Sequence, residues 1–511
     1  MENSNDKIIC ATRKRLTSTQ IVVESTITVD SEENLSKILA VKARANVFNR
    51  LTEIVGTDAN VTGRVVIDLL YLTDGEMVGT NRSASDFTAK LQDEALTQNS
   101  RVFARASVLD SAVQSVNGNT VKVATTVEVS GFMVENKEVP CLTAVGENMY
   151  AKTEEVVTEY LLTDLCDKFT EELTHTAKSG IKRVLLIEPE VAIKEQTPGY
   201  NFVTVSGEIN TKILFVNNKE TPELETITIS DDFKQQIEIN NVTENTKLEL
   251  SASVVDEEVT VTLTENDDGS TTIVVANPIE VCVRAYEERT DMCVCDLYST
   301  KNEISTTTTS YTCQITKGYE YYENKIEGSV SLSDGDPRVD KYLASGGTNV
   351  ALSNAYVQNG ELVVEGIAKT NIIYLNDELG SIYSVDVEFP FVLNNKTDFP
   401  ENSDVDVFVA LKDVDVMVKK GRDVFFEAKA KVFATASQNT FGAVLAAVEE
   451  GDELLPKDSA IEIYFAKAGE TIWDIAKELK VPEDLITNQN PNVTDPLETD
   501  QSLAVYFQKT K

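Results

Sequence analysis

Most of the chain consists of short apolar runs rich in Val, Ile, Thr and aromatic residues, in which apolar and polar positions partly alternate. Runs of this kind, stopped by polar turns about every 8–12 residues, are typical of antiparallel strands in a β-sandwich or barrel-like fold. Two segments, residues 34–50 and 161–178, instead suggest helices, and the second would be amphipathic. The pattern therefore predicts a mainly β chain with few helices.

One strand pattern occurs three times, each time as a Gly followed eight residues later by an aromatic residue. The copies are residues 63–71 (GRVVIDLLY), 207–215 (GEINTKILF) and 366–374 (GIAKTNIIY). Successive copies are about 150 residues apart, far beyond the 20–50 residues of solenoid repeats. We therefore predict three duplicated β domains, at residues 1–145, 146–304 and 305–452.

A second landmark follows each copy and resembles a tight hairpin turn, where Gly accepts a positive φ. The turns are Asn117-Gly118, Asp268-Gly269 and Lys420-Gly421. The distances from the first Gly are 118 − 63 = 55, 269 − 207 = 62 and 421 − 366 = 55 residues. The second copy should therefore carry an insertion in the strand-like stretch before Asp268. Residues 449–453 and 456–459 have the composition of a linker after the third copy.

The last fifty residues, 460–511, differ in texture from the rest. A strand at 461–465 precedes Thr471, which with Asp474 has the spacing of a helix N-cap. Apolar residues then recur at helical spacing from Ile472 to Leu479. A second helix should begin near Pro482 and end at Asn490-Pro491, before a closing strand at 502–507. The expected element order is βααβ, an α+β module.

These residues resemble the LysM family. The family pattern is matched by Tyr464, by residues 469–476 (GETIWDIA), by Leu485 with Asn490-Pro491, and by residues 501–503 (QSL). The resemblance implies binding of N-acetylglucosamine-containing glycans in a groove between the strand–helix turn and the helix–strand loop. Three departures from the pattern, Asp500, Glu470 and Val505-Tyr506, and the polar N-terminus argue against a glycan. We keep glycan binding as the alternative function.

Partner binding through this module is the first hypothesis, and it assigns eight residues. They are Ile463, Lys467, Gly469, Glu470, Thr471, Trp473, Asn490 and Tyr506. Trp473 is the only tryptophan and lies at the edge of the predicted apolar stripe, so it either seals the small core or anchors a partner. The aromatic residues of the two terminal strands cannot all face one small core, so some of them should be exposed.

The three repeats resemble SPOCS domains, most clearly in the third copy. The shared features there are Val364-Glu-Gly366, residues 372–375 (IIYL), a Val-rich run at 405–418, Gly421-Arg422 and an apolar strand at 424–432. Serial SPOCS domains with a terminal LysM module are similar to the SipL-type family of spore coat morphogenetic proteins. The resemblance implies a scaffold in the mother-cell cytoplasm at the forespore surface. It also implies binding to the coat-basement ATPase SpoIVA, chiefly through the LysM module, and possible contacts with other coat proteins.

Charge and composition narrow the function further. The formal net charge of −38, from 84 acidic and 46 basic residues, disfavours nucleic acids and anionic lipid surfaces. A polar N-terminus and the lack of an apolar run of about 20 residues predict a soluble, cytosolic protein. The single histidine, His175, and the absence of phosphate-loop, nucleophile-elbow and zinc-protease motifs favour a protein with no enzymatic activity and no cofactor. We expect His175 to be a surface or packing residue.

The seven cysteines are scattered and odd in number, so they do not resemble a disulfide framework. Cys293 and Cys295 are two residues apart in a strand-like run and should point to the same face. With no further ligands nearby in sequence, they do not form a recognisable metal site. We therefore expect reduced cysteines within strands and no bound metal.

Overall fold

The computed structural model describes residues 4–29, 34–74, 77–419, 421–455, 457 and 459–507. Within these residues the chain is mainly β, and its sheets group into three units followed by a small module. Unit 1 contains β1 (Ser4–Thr28), β2 (Leu35–Val47), β3 (Glu53–Val55), β4 (Asp58–Thr73), β5 (Val78–Gln92), β6 (Arg101–Asn117) and β7 (Thr120–Ala144). Unit 2 contains β8 (Met149–Ala177), β9 (Ile181–Pro198), β10 (Phe202–Asn217), β11 (Leu224–Glu238), β12 (Lys247–Val254), β13 (Thr260–Glu265) and β14 (Thr271–Ser299).

The remaining elements follow the same order along the chain. Unit 3 contains β15 (Asn302–Ser331), β16 (Lys341–Gln358), β17 (Glu361–Asn376), β18 (Ser381–Lys396), β19 (Asp404–Lys419) and β20 (Asp423–Glu453). The terminal module contains β21 (Ile461–Ala466), α1 (Ile472–Leu479), α2 (Glu483–Gln489) and β22 (Gln501–Tyr506). Two three-residue 3-10 turns, Asn49–Leu51 and Asp256–Glu258, complete the described elements.

The same sheet topology occurs in all three units. In one sheet the last strand lies between the first and the penultimate strand, as in β1-β7-β6 and β15-β20-β19. In the other sheet the third long strand is central, as in β9-β10-β11 and β16-β17-β18. All pairings are antiparallel. The apolar faces of the two sheets pack against each other, so that each unit is a small sandwich around its own core.

The glycine that begins each repeat lies in the central strand, directly opposite a phenylalanine of the next strand. The three pairs are Gly63–Phe87, Gly207–Phe233 and Gly366–Phe391. A Cβ atom on Gly366 would lie 2.7 Å from Cζ of Phe391 and 2.7 Å from the carbonyl oxygen of Ala351. A side chain at this position would therefore displace the phenylalanine ring, which explains why the repeat begins with Gly.

The hairpin turns of the second landmark also follow the sequence prediction. Gly118, Gly269 and Gly421 have φ values of 58°, 82° and 73°, in the left-handed region that favours glycine. Lys420 lies outside the described residues. The insertion in unit 2 divides its penultimate strand into β12 and β13, which are separated by the turn Asp256–Glu258.

The three units meet through equivalent positions of the repeat. Leu70, Leu214 and Ile373 each follow the first glycine of their copy by seven residues, and all three lie in one buried cluster. Their partners on the preceding strand, Ala40, Leu186 and Ala344, lie in the same cluster. The units are therefore arranged around a common axis, as three subunits would be around a threefold axis.

Ion pairs also join the units to one another. The Glu208 carboxylate of unit 2 bonds the ammonium groups of Lys412 and Lys431 in unit 3. Arg13 of unit 1 lies 2.7 Å from Glu249 of unit 2, and both side chains are buried. Because a buried charge is unfavourable without a partner, these pairs favour one relative placement of the units.

Both helices predicted outside the module are strands in the structure. Residues 34–50 form mostly β2, whose two register shifts, at Leu35/Lys37 and Ile38/Ala40, disturb the alternation of apolar residues. Residues 161–178 fall in β8, which pairs with β14 along its length. There the apolar residues Leu161, Leu165, Phe169, Leu173 and Ala177 are spaced by four, a spacing that suits one helix face and one strand face equally.

Three further expectations are corrected. Cys166 and Cys282 lie opposite each other in β8 and β14 and form a disulfide, although the sequence pattern predicted reduced cysteines. Cys293 is buried, whereas Cys295 lies at a β-bulge and its thiol faces the carbonyl of Lys152 at 3.2 Å, so the two do not share a face. Residues 449–453 belong to β20 rather than to a linker, because they pair with the start of β15. Residues 456 and 458 of the second linker stretch lie outside the described residues.

Candidate protein-docking site

The terminal module contains two short helices packed on one face of a two-stranded sheet. Thr471 caps α1: its hydroxyl accepts a hydrogen bond from the backbone N–H of Asp474 at 3.2 Å, and the Asp474 carboxylate accepts one from the backbone N–H of Thr471 at 3.2 Å. The apolar residues of α1 are buried against Leu503 and Val505 of β22. The capping box and the buried stripe agree with the sequence prediction for this segment.

Two side-chain amides hold the outer edge of β22. Asn490 accepts a hydrogen bond from the backbone N–H of Ala504 at 3.1 Å and donates one to its carbonyl at 3.0 Å. Gln489 bonds the N–H and carbonyl of Tyr506 in the same way, at 2.6 and 3.1 Å. The polar groups on this edge are therefore satisfied by the end of α2, and Asn490 is a structural residue.

The two loops that would border a glycan groove bond to each other. The N–H of Gly469 donates to the carbonyl of Leu497 at 2.8 Å, and the N–H of Leu497 donates to the carbonyl of Glu470 at 2.9 Å. The Asp500 carboxylate accepts a hydrogen bond from the N–H of Ala468 at 2.8 Å. These hydrogen bonds hold the two loops together within the module.

Trp473 lies against unit 2, at the end of β14. Its indole Nε1–H donates a 2.8 Å hydrogen bond to Oδ2 of Asp296, and its ring meets the ring of Tyr298 edge-on at 5.0 Å. Lys477 reaches the other oxygen of Asp296 at 2.5 Å, and the Tyr298 hydroxyl donates to the carbonyl of Val481 at 2.9 Å. Trp473 is only 9% exposed. It therefore anchors the module on its own chain and is not part of the free surface.

The shifted pKa of Asp296 favours its ion pair with Lys477. Burial alone would raise the pKa of Asp296, but hydrogen bonds from Lys477 and Trp473 lower it overall. Across the module, burial and a hydrogen bond to Glu478 raise the pKa of Tyr464 to about 12. Asp296 is thus charged and Tyr464 neutral near neutral pH.

The opposite face of the module sheet is apolar and open to solvent. Its large side chains are Ile461 (50% exposed), Ile463 (58%), Phe465 (77%) and Tyr506 (51%). The three residues of β21 alternate along the strand, and Tyr506 lies directly opposite Ile461. We call these four residues the outer face. Among the described residues β21 pairs only with β22, so its other edge is also open.

The structure divides the eight predicted binding residues into three groups. Ile463 and Tyr506 lie on the outer face, and Lys467 is exposed next to it at the end of β21. Gly469, Glu470, Thr471 and Asn490 participate in the hydrogen bonds that hold the module together. Trp473 faces unit 2.

The sequence pattern did not identify Ile461 as a surface residue. It also did not identify Asp296 and Tyr298 as the residues of unit 2 that contact the module. It also left open which terminal-strand aromatics are exposed. Strand alternation around Ile463 could have indicated that Ile461 and Phe465 are exposed as well. Asp296 and Tyr298 precede Trp473 by almost 180 residues in the sequence, and only the tertiary fold brings them into contact with it.

His175 is an exposed residue of β8, as expected for a surface histidine. A shallow groove in unit 3 is lined by Glu320, Tyr321, Tyr322, Gly360 and Lys396, among others. No cluster of three or more metal-ligating side chains occurs in the described parts of the chain. No helix in the described ranges is long and apolar enough to cross a membrane.

Part of the chain is similar to a known protein family. Residues 339–419 match the family described as SipL, SPOCS domain. The matched segment lies in unit 3 and includes the central strand β17 with the third copy of the repeat. The match supports a relationship with SipL-like proteins and a context of sporulation and the spore coat. No curated protein and no solved structure matches the chain.

Proposed function

We propose that this chain is a non-enzymatic scaffold of the spore coat, with three serial SPOCS-type domains and a LysM-type module that docks on a partner protein. The partner is a SpoIVA-like coat ATPase at the forespore surface. The SPOCS match in unit 3 supports the coat context, and the strand–helix–helix–strand order of the terminal module agrees with a LysM-type module. The proposed role is to hold this partner so that assembled coat encases the forespore.

The observation that carries the docking role is the outer face. Four large apolar side chains lie together on a module whose opposite side is fixed to unit 2. Exposed apolar clusters of this kind favour association, because a partner removes them from water. Lys467 beside the face could bond an acidic group of the partner, as a rim charge does.

The alternative, glycan binding, is less favoured by the loop geometry. The two loops around the expected groove use their backbone groups for each other, and Asp500 closes the contact from the side. A sugar would have to displace these hydrogen bonds, which would leave buried polar groups without partners.

A matched pair of variants in the full chain tests the proposal. Ile463 and Val392 are both 58% exposed on strands, but only Ile463 belongs to the outer face. We expect Ile463→Asp to weaken binding to purified SpoIVA about tenfold or more, and Val392→Asp to leave it unchanged. Equal binding by both variants would contradict docking through this face. Measurable affinity of the unaltered chain for chitin oligomers would instead favour the glycan alternative.

A further inference from the structure

Six of the seven cysteines face another cysteine in the folded chain, although they are scattered in sequence. Cys166 and Cys282 are already bonded within unit 2. Cys10 and Cys141 of unit 1 lie in one buried cluster with Cys293 of unit 2 and Cys313 of unit 3. In that cluster the Cys10 thiol interacts with Cys313, and the Cys293 thiol with Cys141. Both of these thiol pairs cross a boundary between units.

The position of Cys10 and Cys313 is fixed by the repeat. Cys10 pairs with Lys137 and Cys313 with Thr440. These partners follow the turn glycines Gly118 and Gly421 by 137 − 118 = 19 and 440 − 421 = 19 residues. The two cysteines are therefore equivalent positions of units 1 and 3, and they meet where the first strands of the units converge. Their counterpart in unit 2 completes the contact.

That counterpart is Glu159, which pairs with Glu288, again 19 residues after its turn glycine (288 − 269 = 19). The backbone N–H of Glu159 donates to Sγ of Cys313 at 3.2 Å. Cys313 thus contacts the equivalent positions of both other units. A covalent bond here would join the first strand of unit 1 to the first strand of unit 3 at their common axis.

The two thiols of the first pair shift each other in opposite directions. The interaction with Cys10 lowers the pKa of Cys313, and the same interaction raises the pKa of Cys10. In the second pair burial raises the pKa of both thiols, and it raises that of Cys293 to about 12. Cys313, whose pKa is lowered, is therefore the better nucleophile of the first pair, because the thiolate is the reactive form.

We propose that Cys10–Cys313 and Cys141–Cys293 are oxidation sites, at which a peroxide converts each thiol pair into a disulfide that joins two units. The nucleophilic thiolate attacks one oxygen of hydrogen peroxide, the O–O bond breaks, and hydroxide leaves a sulfenic acid on the protein. The second cysteine then attacks this sulfur, the S–O bond breaks, and water leaves. Two thiols are oxidised, and one peroxide is reduced to two waters.

The bonds would lock the arrangement of the three units. One links unit 1 to unit 3 and the other links unit 1 to unit 2, so the oxidised chain is closed around its axis. Access is limited because all four cysteines are at most 1% exposed. Peroxide is little larger than water, so it can enter when the units open locally, and the reaction should be slow in the folded chain.

Mass spectrometry of the full chain tests the proposal. The protein with its Cys166–Cys282 disulfide intact and its other five cysteines as thiols is treated with hydrogen peroxide, its remaining thiols are alkylated, and it is digested with trypsin without reduction. We expect two new linked peptides, Cys10 with Cys313 and Cys141 with Cys293, besides the existing Cys166–Cys282 link. Because Cys293 and Cys295 occur in the same tryptic peptide, the Cys295→Ser variant serves as the control and should keep both new links.

A second measurement tests whether the two disulfides stabilise the arrangement of the units or form without any effect on it. Peroxide-treated protein should unfold at a temperature about 3 °C or more above the untreated protein, in which only Cys166–Cys282 is bonded, and this difference should be lost in Cys10→Ala/Cys141→Ala. The proposal is overturned if all four thiols remain alkylated after peroxide treatment. Links between other pairs, or oxidation to sulfinic acids without links, would overturn it as well.

Discussion

The indole N–H of Trp473 bonds the carboxylate of Asp296, 177 residues earlier in the chain, at 2.8 Å. This contact determines which side of the terminal module is free. With α1 turned towards β14, the sheet of β21 and β22 presents its apolar outer face to solvent. A residue that the sequence suggests as a partner anchor is thus an internal anchor, and the neighbouring strands carry the exposed surface.

Removing the anchor should release the module. In Asp296→Ala both the Trp473 and the Lys477 contacts are lost, which destabilises docking by about 1–3 kcal/mol. Because Trp473 is the only tryptophan, its fluorescence reports this contact directly, and we expect its emission to move to longer wavelength. Asp291→Ala, on the same strand but bonded to Arg289, is the control and should leave the emission unchanged. Unchanged emission in Asp296→Ala would contradict the docked arrangement.

The capping box of α1 gives a prediction about the module alone. Thr471→Ala removes the hydroxyl that accepts from the N–H of Asp474, and the loss of such a cap destabilises a helix by about 1 kcal/mol. Thermal unfolding followed by Trp473 fluorescence should therefore occur at a lower temperature. Thr487→Ala in α2 is the control, because this hydroxyl bonds only carbonyls of its own helix, and its removal should have little effect.

The repeat glycines should not tolerate a side chain. In Gly366→Ala the new Cβ would lie 2.7 Å from the Phe391 ring and from a backbone carbonyl, so we expect a loss of about 1–3 kcal/mol in the free energy of unfolding. Gly335→Ala is the matched control, since its Cβ would approach nothing closer than the Ser333 hydroxyl at 3.8 Å. Chemical denaturation of both variants measures the difference, and equal stability would contradict the proposed reason for the glycine.

Acid should weaken the contact between units 2 and 3. Burial would raise the pKa of Glu208, but its three lysine partners, Lys412, Lys431 and Lys194, lower it from the ordinary 4.5 to about 2. A lowered carboxyl pKa stabilises the folded state above pH 4.5, and this contribution is lost as the pH falls from 4.5 to about 2. Glu208→Gln should be less stable at pH 7 and should lose less stability than the unaltered chain over that window. Unfolding temperatures measured by circular dichroism across the window test this, and parallel curves would contradict it.

The sequence indicated much of the fold where local pattern and tertiary structure agree. Gly366 and Tyr374 indicate a central strand. The ring of Phe391 lies too close to Gly366 for a side chain there, and Tyr374 is buried in the core. The capping box of Thr471 was likewise visible, because its interactions are local. The SPOCS resemblance found in the third copy is supported by the family match at 339–419.

What the sequence could not show depends on long-range pairing. The spacing of four between Leu161, Leu165 and Phe169 suits a helix as well as a strand, and only pairing with β14 decides between them. The disulfide joins Cys166 to Cys282, 116 residues away, through the register of two strands. The role of Trp473 was equally hidden, because Asp296 and Tyr298 belong to another unit.

The most direct test of the central claim compares two phenylalanines that are equally exposed. Phe465 on the outer face and Phe441 on β20 are each 77% exposed, so replacing either with Ser should leave the fold intact. The affinity of full-length Phe465→Ser and Phe441→Ser for purified SpoIVA is then measured side by side. We expect at least about tenfold weaker binding for Phe465→Ser and unchanged binding for Phe441→Ser. Unchanged binding by Phe465→Ser, when Trp473 fluorescence shows that the module is still folded, would contradict docking through the outer face.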